Sequence, residues 1–198
     1  MTVLTMPASP ELSLVNYDLL DFGFVQRPST GSAGTRIDRP GMRYKGDFAF
    51  PAMPAATALP FESRLERGMS EGLRVKWPLL GVSQGSPGSP RVSGSSSAGT
   101  TLVIAGLTPG YGILEGYWLN WVDSSGVYHL HRAAEDRTAS VAGVATLSIW
   151  PPLRGTPVSN DTIVLDEPMI EGLVTSITPI ARDLTKTVSL QFSLSEES

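Results

Sequence analysis

Residues 42–50 alternate with period two. Met42, Tyr44, Gly46, Phe48 and Phe50 fall on one side, with Arg43, Lys45, Asp47 and Ala49 on the other. Neighbouring side chains of a strand point to opposite faces, so the pattern predicts a strand with one buried face, ended by Pro51 and Pro54. The same alternation returns late in the chain, where Val188, Leu190, Phe192 and Leu194 oppose Thr187, Ser189, Gln191 and Ser193. It predicts a strand over 186–194, followed by a short acidic end at Glu196 and Glu197. Over 57–70 the period changes: Phe61, Leu65 and Met69 recur at four-residue steps, while Glu62, Arg64, Glu66 and Arg67 take the other faces. This predicts the one helix of the chain, with Pro60 in its first turn and Gly72 as its stop. So short a helix needs a sheet to pack on.

The remaining chain reads as β structure and loops. Residues 1–34 are irregular but carry apolar anchors at Leu12, Leu14, Val15, Leu19, Leu20, Phe22 and Phe24, with a loop over 29–34. A strand is predicted over 74–80, followed by a Gly-, Ser- and Pro-rich stretch at 81–100 that reads as a long loop or a linker. Further strands are predicted at 101–105, 116–122, 127–132, 144–150, 162–166 and 169–174. Asp123-Ser124-Ser125-Gly126 forms a hairpin turn among them. Strands at a spacing of about 10–15 residues point to a sandwich or a barrel. No internal repeat is visible.

Composition narrows the function. The 198 residues suit one large β domain or two small ones. Hydrophobic residues make up 41% and charged residues only 17%, against about 25% charged in an ordinary globular chain. So uncharged an exterior suits burial in an assembly, or simply a compact β protein with polar loops. Net charge is −4 and no basic run exists, which excludes a nucleic-acid footprint. There is no cysteine, so disulfides and thiolate chemistry are excluded. The first residues lack the pattern of a secretory signal. Apolar runs such as 102–107 are too short to span a bilayer. The expectation is a soluble protein made in the cytoplasm.

Candidate chemistry is sparse. His129 and His131 share one face of a strand, as a metal pair does, but no motif supplies a third ligand, and they read as surface histidines. Carboxylates gather at Glu115, Asp123, Glu135, Asp136, Asp161, Asp166, Glu167 and Glu171. Two of them some 5–9 Å apart across a groove would suit glycoside hydrolysis, yet acids at strand ends ordinarily solubilise and form turns. Neither a nucleophile elbow nor a phosphate loop is present around 81–97. Tyr117, Trp118, Trp121 and Tyr128 lie in one presumed hairpin, with Tyr117 and Trp121 on one face and Trp118 on the other. Such rings stack on sugars, fill a core or anchor an interface. No cofactor is implied.

Several segments taken in order carry a resemblance. They are Met42-Arg43-Tyr44-Lys45-Gly46-Asp47-Phe48, Phe50-Pro51-Ala52-Met53-Pro54 with the helix, and the Gly-Ser-Pro-rich run 85–94. They continue through Glu115-Gly116-Tyr117-Trp118-Leu119, Tyr128-His129-Leu130-His131-Arg132 and the stretch 143–154, which ends in Pro151-Pro152-Leu153-Arg154. Together they resemble the distal tail proteins at the tail tip of long-tailed, non-contractile bacteriophages, over roughly residues 40–175. The resemblance implies a mainly β fold, with a tail-tube-like β-sandwich carrying one packed helix and an added or inserted β-barrel or sandwich module. It implies a ring domain from residues 1–81 with 175–198, and an added module over 82–174. It further implies a structural virion protein without enzymatic activity, forming a ring, usually a hexamer, between the tail tube protein and the hub and fibre proteins. The rival reading is a carbohydrate-binding module using Tyr117, Trp118 and Trp121. A cell-wall hydrolase is the third.

Overall fold

A computed structural model of the protein describes residues 3–29, 31, 33–37, 41–94, 99–180 and 186–197. Residues 30 and 32 of the predicted 29–34 loop and residues 95–98 of the 81–100 stretch lie outside them. The elements run β1 (Leu4–Thr5), β2 (Leu14–Leu20), β3 (Phe24–Gln26), β4 (Thr35–Ile37), β5 (Arg43–Ala49), β6 (Met53–Pro54), α1 (Ala55–Glu71) and β7 (Leu73–Lys76). Next come β8 (Gly88–Val92), β9 (Thr101–Leu107), β10 (Gly112–Ile113), β11 (Trp118–Val122), β12 (Tyr128–Ala133), β13 (Arg137–Thr138), β14 (Ala145–Trp150) and β15 (Thr162–Val164). The chain closes with β16 (Met169–Ile177), β17 (Thr187–Val188) and β18 (Gln191–Ser195).

The fold is mainly β, with one helix and a closed barrel among the described residues. One six-stranded sheet has the order β1-β7-β16-β18-β5-β2, and the barrel runs β11-β12-β14-β9-β8-β15. β7 and β16 are antiparallel neighbours, with Val75 opposite Ile170. The whole barrel is therefore inserted between two adjacent strands of the sheet. The boundary read at 174/175 falls inside β16, whose strand partners among the described residues are β7 and β18. A short apolar run such as 169–174 does not reveal which sheet it will join, because its partners lie far away in sequence.

The two alternating segments become neighbours. β5 pairs with β18, placing Phe48 opposite Phe192, and the rings stack with centroids 5.3 Å apart. Met42, Tyr44, Phe48, Phe50, Val188, Leu190, Phe192 and Leu194 are all buried. The predicted 186–194 strand divides: β17 pairs with β6, and β18 joins the sheet. β2 was read as irregular, yet it pairs with β5 from Leu14 opposite Ala49 to Leu20 opposite Arg43. Val15, Tyr17 and Leu19 alternate with Asn16 and Asp18 and lie toward the sheet core, but Leu14 and Leu20 extend the apolar run at both ends and blur the period.

The helix begins earlier than predicted, at Ala55, whose N–H donates to the Lys186 carbonyl at 2.9 Å. Pro60 consequently sits inside it and not in its first turn. The buried stripe is Ala58, Phe61, Glu62, Leu65 and Gly68, whereas Met69 is 51% exposed. At 3.6 residues per turn, two four-residue steps drift about 80° around the helix, but seven residues return within about 20°. Gly68 thus faces the sheet, where a Cβ would stand 2.9 Å from Val174 Cγ2. Gly72, at φ 87°, ends the helix.

The stretch read as linker holds a barrel strand, β8, and this corrects that reading. β8 pairs with β9 through a register shift between Gly88 and Arg91, which places Pro90 at an irregularity, where a missing N–H is tolerated. Gly106, at φ 79°, lies so close to the Ser89 carbonyl that a Cβ would overlap it. Leu65→Ala is expected to destabilise the protein by about 3 kcal/mol, whereas Met69→Ala changes stability by under about 0.5 kcal/mol. Urea denaturation of the two variants checks the face assignment.

Candidate interaction surface

The hairpin β11–β12 forms the wall between barrel and sheet. Along β11, Leu119 and Trp121 enter the barrel core, which half-buried Tyr117 also packs against. Trp118 points out of the barrel and into the sheet core, joined there by Leu130 of β12. Trp118 is 9% exposed and Trp121 3% exposed. Neither presents a ring face that a sugar can stack on. The Trp118 ring lies against Trp77 at 4.6 Å, Tyr44 at 5.1 Å and Tyr17 at 5.4 Å. Half-buried Tyr128 lies under the Arg74 guanidinium, 3.9 Å from its ring centroid. These four aromatics therefore hold one module against the other and fill the barrel.

The two histidines are not at the surface, contrary to their sequence reading. They share the face of β12 that lines the barrel, His129 opposite Trp121 and His131 opposite Leu119. His129 is 6% exposed and stacks on Trp121 at 4.5 Å, with Nε2 3.2 Å from Asp123 Oδ2. His131 is fully buried, and its Nδ1 lies 2.9 Å from the Pro151 carbonyl, which fixes the proton on that nitrogen. Burial, with the nearby charge of Arg154, pushes the His131 imidazole down to about 3, and the same two causes lower His129. The alternation that put both histidines on one face was readable. That this face was the interior was not, because β12 carries apolar and polar residues on each side. Among the described residues, no three His, Asp or Glu side chains gather as a metal site requires.

The acids mostly do structural work. Glu196, in the short acidic end after the last strand, is fully buried where sheet and barrel meet. Its carboxylate accepts from Tyr44 N at 2.7 Å, from Leu130 N at 2.9 Å and from Arg154 Nη2 at 2.9 Å. Burial pushes its carboxyl above the usual range, while Arg154 and the two N–H groups pull it back. Glu171 of β16 accepts from Arg74 Nε and Nη2 at 2.9 and 2.7 Å, and from Tyr128 N at 3.2 Å. Gln84 clamps both backbone groups of Trp118 at 2.8 Å, and Asn120 does the same for Met169 at 2.6 and 2.8 Å. Asp161 accepts from Trp121 Nε1 at 2.8 Å, and Glu135 takes the Ser148 hydroxyl at 2.5 Å.

What remains for contact lies elsewhere. β2 ends the sheet, and beyond it β3 and β4 form a hairpin with Phe24 opposite Ile37 and Val25 opposite Arg36. Along this arm Leu14 is 53% exposed, Tyr17 48% and Val25 52%, and Phe22, Phe24 and Ile37 are also exposed. An end strand with a single strand neighbour among the described residues, continuous with an apolar ribbon, is a surface that natural proteins ordinarily cover. Before β2 begins, a groove of about 410 Å³ opens between the segment 5–12 and the segment 75–81. Leu80 stands at its rim, 83% exposed, with the backbone held at φ 47°. Lys76 lies beside Glu167 at 2.9 Å, with Glu11 and Asp166 adding negative charge.

Two outcomes follow from the buried groups. Glu196→Ala leaves the Arg154 cation unpaired in a dry interior and is expected to cost about 3–5 kcal/mol, while Glu196→Leu combined with Arg154→Met recovers a large part of that. Urea denaturation in a double-mutant cycle measures it. His131 is held neutral in the fold, with its pKa below the unfolded 6.5. Its contribution is complete above about pH 6.5 and is lost as pH falls toward about 3, by up to about 1.4 kcal/mol per pH unit. Thermal melts between pH 7.5 and 4.5 should show a falling midpoint, with a shallower slope in His131→Asn. In comparison with known proteins, neither a protein-family model nor a curated protein sequence matches this chain.

Proposed function

We propose that the chain is a structural subunit of the tail tip of a long-tailed, non-contractile bacteriophage. In this reading it assembles into a ring, with six copies expected, that joins the tail tube to the hub and fibre proteins. The observation that carries the proposal is the apolar arm of β2, β3 and β4 at the end of the sheet, with Leu14, Phe24 and Val25 each about half exposed. A closed ring repeats one heterologous contact, so each copy hides such an end strand under its neighbour. Further support comes from the barrel inserted between β7 and β16, which suits an outward module on a ring domain. The 17% share of charged residues suits an exterior largely covered by neighbours.

The carbohydrate-binding reading loses its platform, since Trp118 and Trp121 are 9% and 3% exposed. For hydrolysis, three of the candidate carboxylates are engaged elsewhere: Glu171 by Arg74 and the Tyr128 N–H, Asp161 by the Trp121 indole and Glu135 by the Ser148 hydroxyl. Light scattering coupled to size exclusion, with negative-stain imaging, tests the proposal. The expected result is a closed ring near six times the 21.1 kDa chain mass. A monomer at all concentrations that binds a cell-surface polysaccharide overturns it.

A further inference from the structure

We infer that the β3–β4 hairpin of one copy seats in the Leu80 groove of the next copy. The inference rests on the ring-subunit reading and names the surfaces that make its contact. Each face of the hairpin carries apolar surface, Val25 beside Arg36 on one and Phe24 with Ile37 on the other. A ribbon that lies on a flat surface needs one such face; a ribbon that enters a groove uses both. The groove has the room: a cavity of roughly 150 Å³ holds a benzene molecule, and this one measures about 410 Å³. Its floor includes Met6, Phe50 and Trp77, and Leu80 is presented at its rim by a backbone conformation that leucine rarely adopts.

Charge agrees with the fit. The groove places Glu11, Asp166 and Glu167 around the single cation of Lys76. The hairpin and its turn, residues 24–37, contain Arg27 and Arg36 and no acid. Arg36 is held by Asp21 at 2.6 Å, so Arg27 is the cation that meets the carboxylates of the groove. Geometry sets the mode. β2 runs from the groove to the hairpin, roughly 20 Å at about 3.4 Å per residue. A copy therefore cannot fill its own groove, and each copy offers an arm at one end and a receptor at the other. That is a heterologous contact, which closes into a ring when the rotation permits.

The absence of cysteine gives a clean test on the full chain. Val25→Cys combined with Leu80→Cys, oxidised under assembly conditions, is expected to give a ladder of disulfide-linked copies, while each single variant does not. Independently, Arg27→Glu is expected to weaken assembly about tenfold, and adding Glu11→Arg to restore it to within about twofold. Rings that form normally but show neither the ladder nor the charge rescue overturn this inference and leave the ring reading standing. Links in Val25→Cys alone place a second hairpin on the arm and also overturn it. A wild-type chain that stays monomeric overturns the ring reading and this contact with it.

Discussion

One carboxylate joins three parts of the molecule that are far apart in the chain. Glu196 follows the last strand of the sheet, yet it caps Tyr44 of β5, Leu130 of the barrel and the Arg154 guanidinium. A buried ion pair adds little net stability over apolar packing, because two desolvated ions repay their cost only with good geometry and further hydrogen bonds. Here both oxygens are engaged, so the pair acts mainly on position. It determines how the barrel sits on the sheet, since a shift of either module leaves a charge unpaired in the interior.

The rest of the junction follows the same logic. Arg74 and Glu171 bind one another on neighbouring strands of the sheet, and their free valences reach Gly126 and Tyr128 at the barrel hairpin. Gln84 and Asn120 each engage a donor and an acceptor of one backbone residue, which a rotated neighbour would not satisfy. Between these polar clamps lie Trp118, Trp77, Tyr44 and Tyr17 in edge and tilted contacts. Burial drives the modules together, and the directional bonds select one arrangement. The barrel is attached through both β7 and β16 and is therefore carried as part of the sheet, not tethered by a flexible linker.

With Trp118, Trp121, the two histidines, Glu171 and Glu196 committed inside, the proposed contact surface is apolar surface that the fold leaves uncovered. This is the arm along β2 to β4, and at its other end the groove below Leu80. The arm comes from the N-terminal part of the chain, whereas the groove is built jointly by residues 5–12, Phe50, 75–81 and the carboxylates of Asp166 and Glu167. A core must keep its packing for the fold to persist, while a contact surface need only match its partner.

Much of the fold was legible where burial repeats at short range. Period two identified β5 and β18, the Phe61 and Leu65 spacing identified the helix, and Gly72 marked its end at a positive φ. The barrel strands other than β8 followed from apolar runs between turn residues. These depend on local geometry, in which one side chain's direction fixes the next. Tertiary structure alone decided that β16 joins the sheet, that Gly88–Val92 is a strand, that His131 faces inward and that Glu196 is buried. Each of those depends on a partner tens of residues away: on which backbone supplies the hydrogen bond, or which cation meets the carboxylate. The local sequence determined what could be buried, and the long-range pairing determined where.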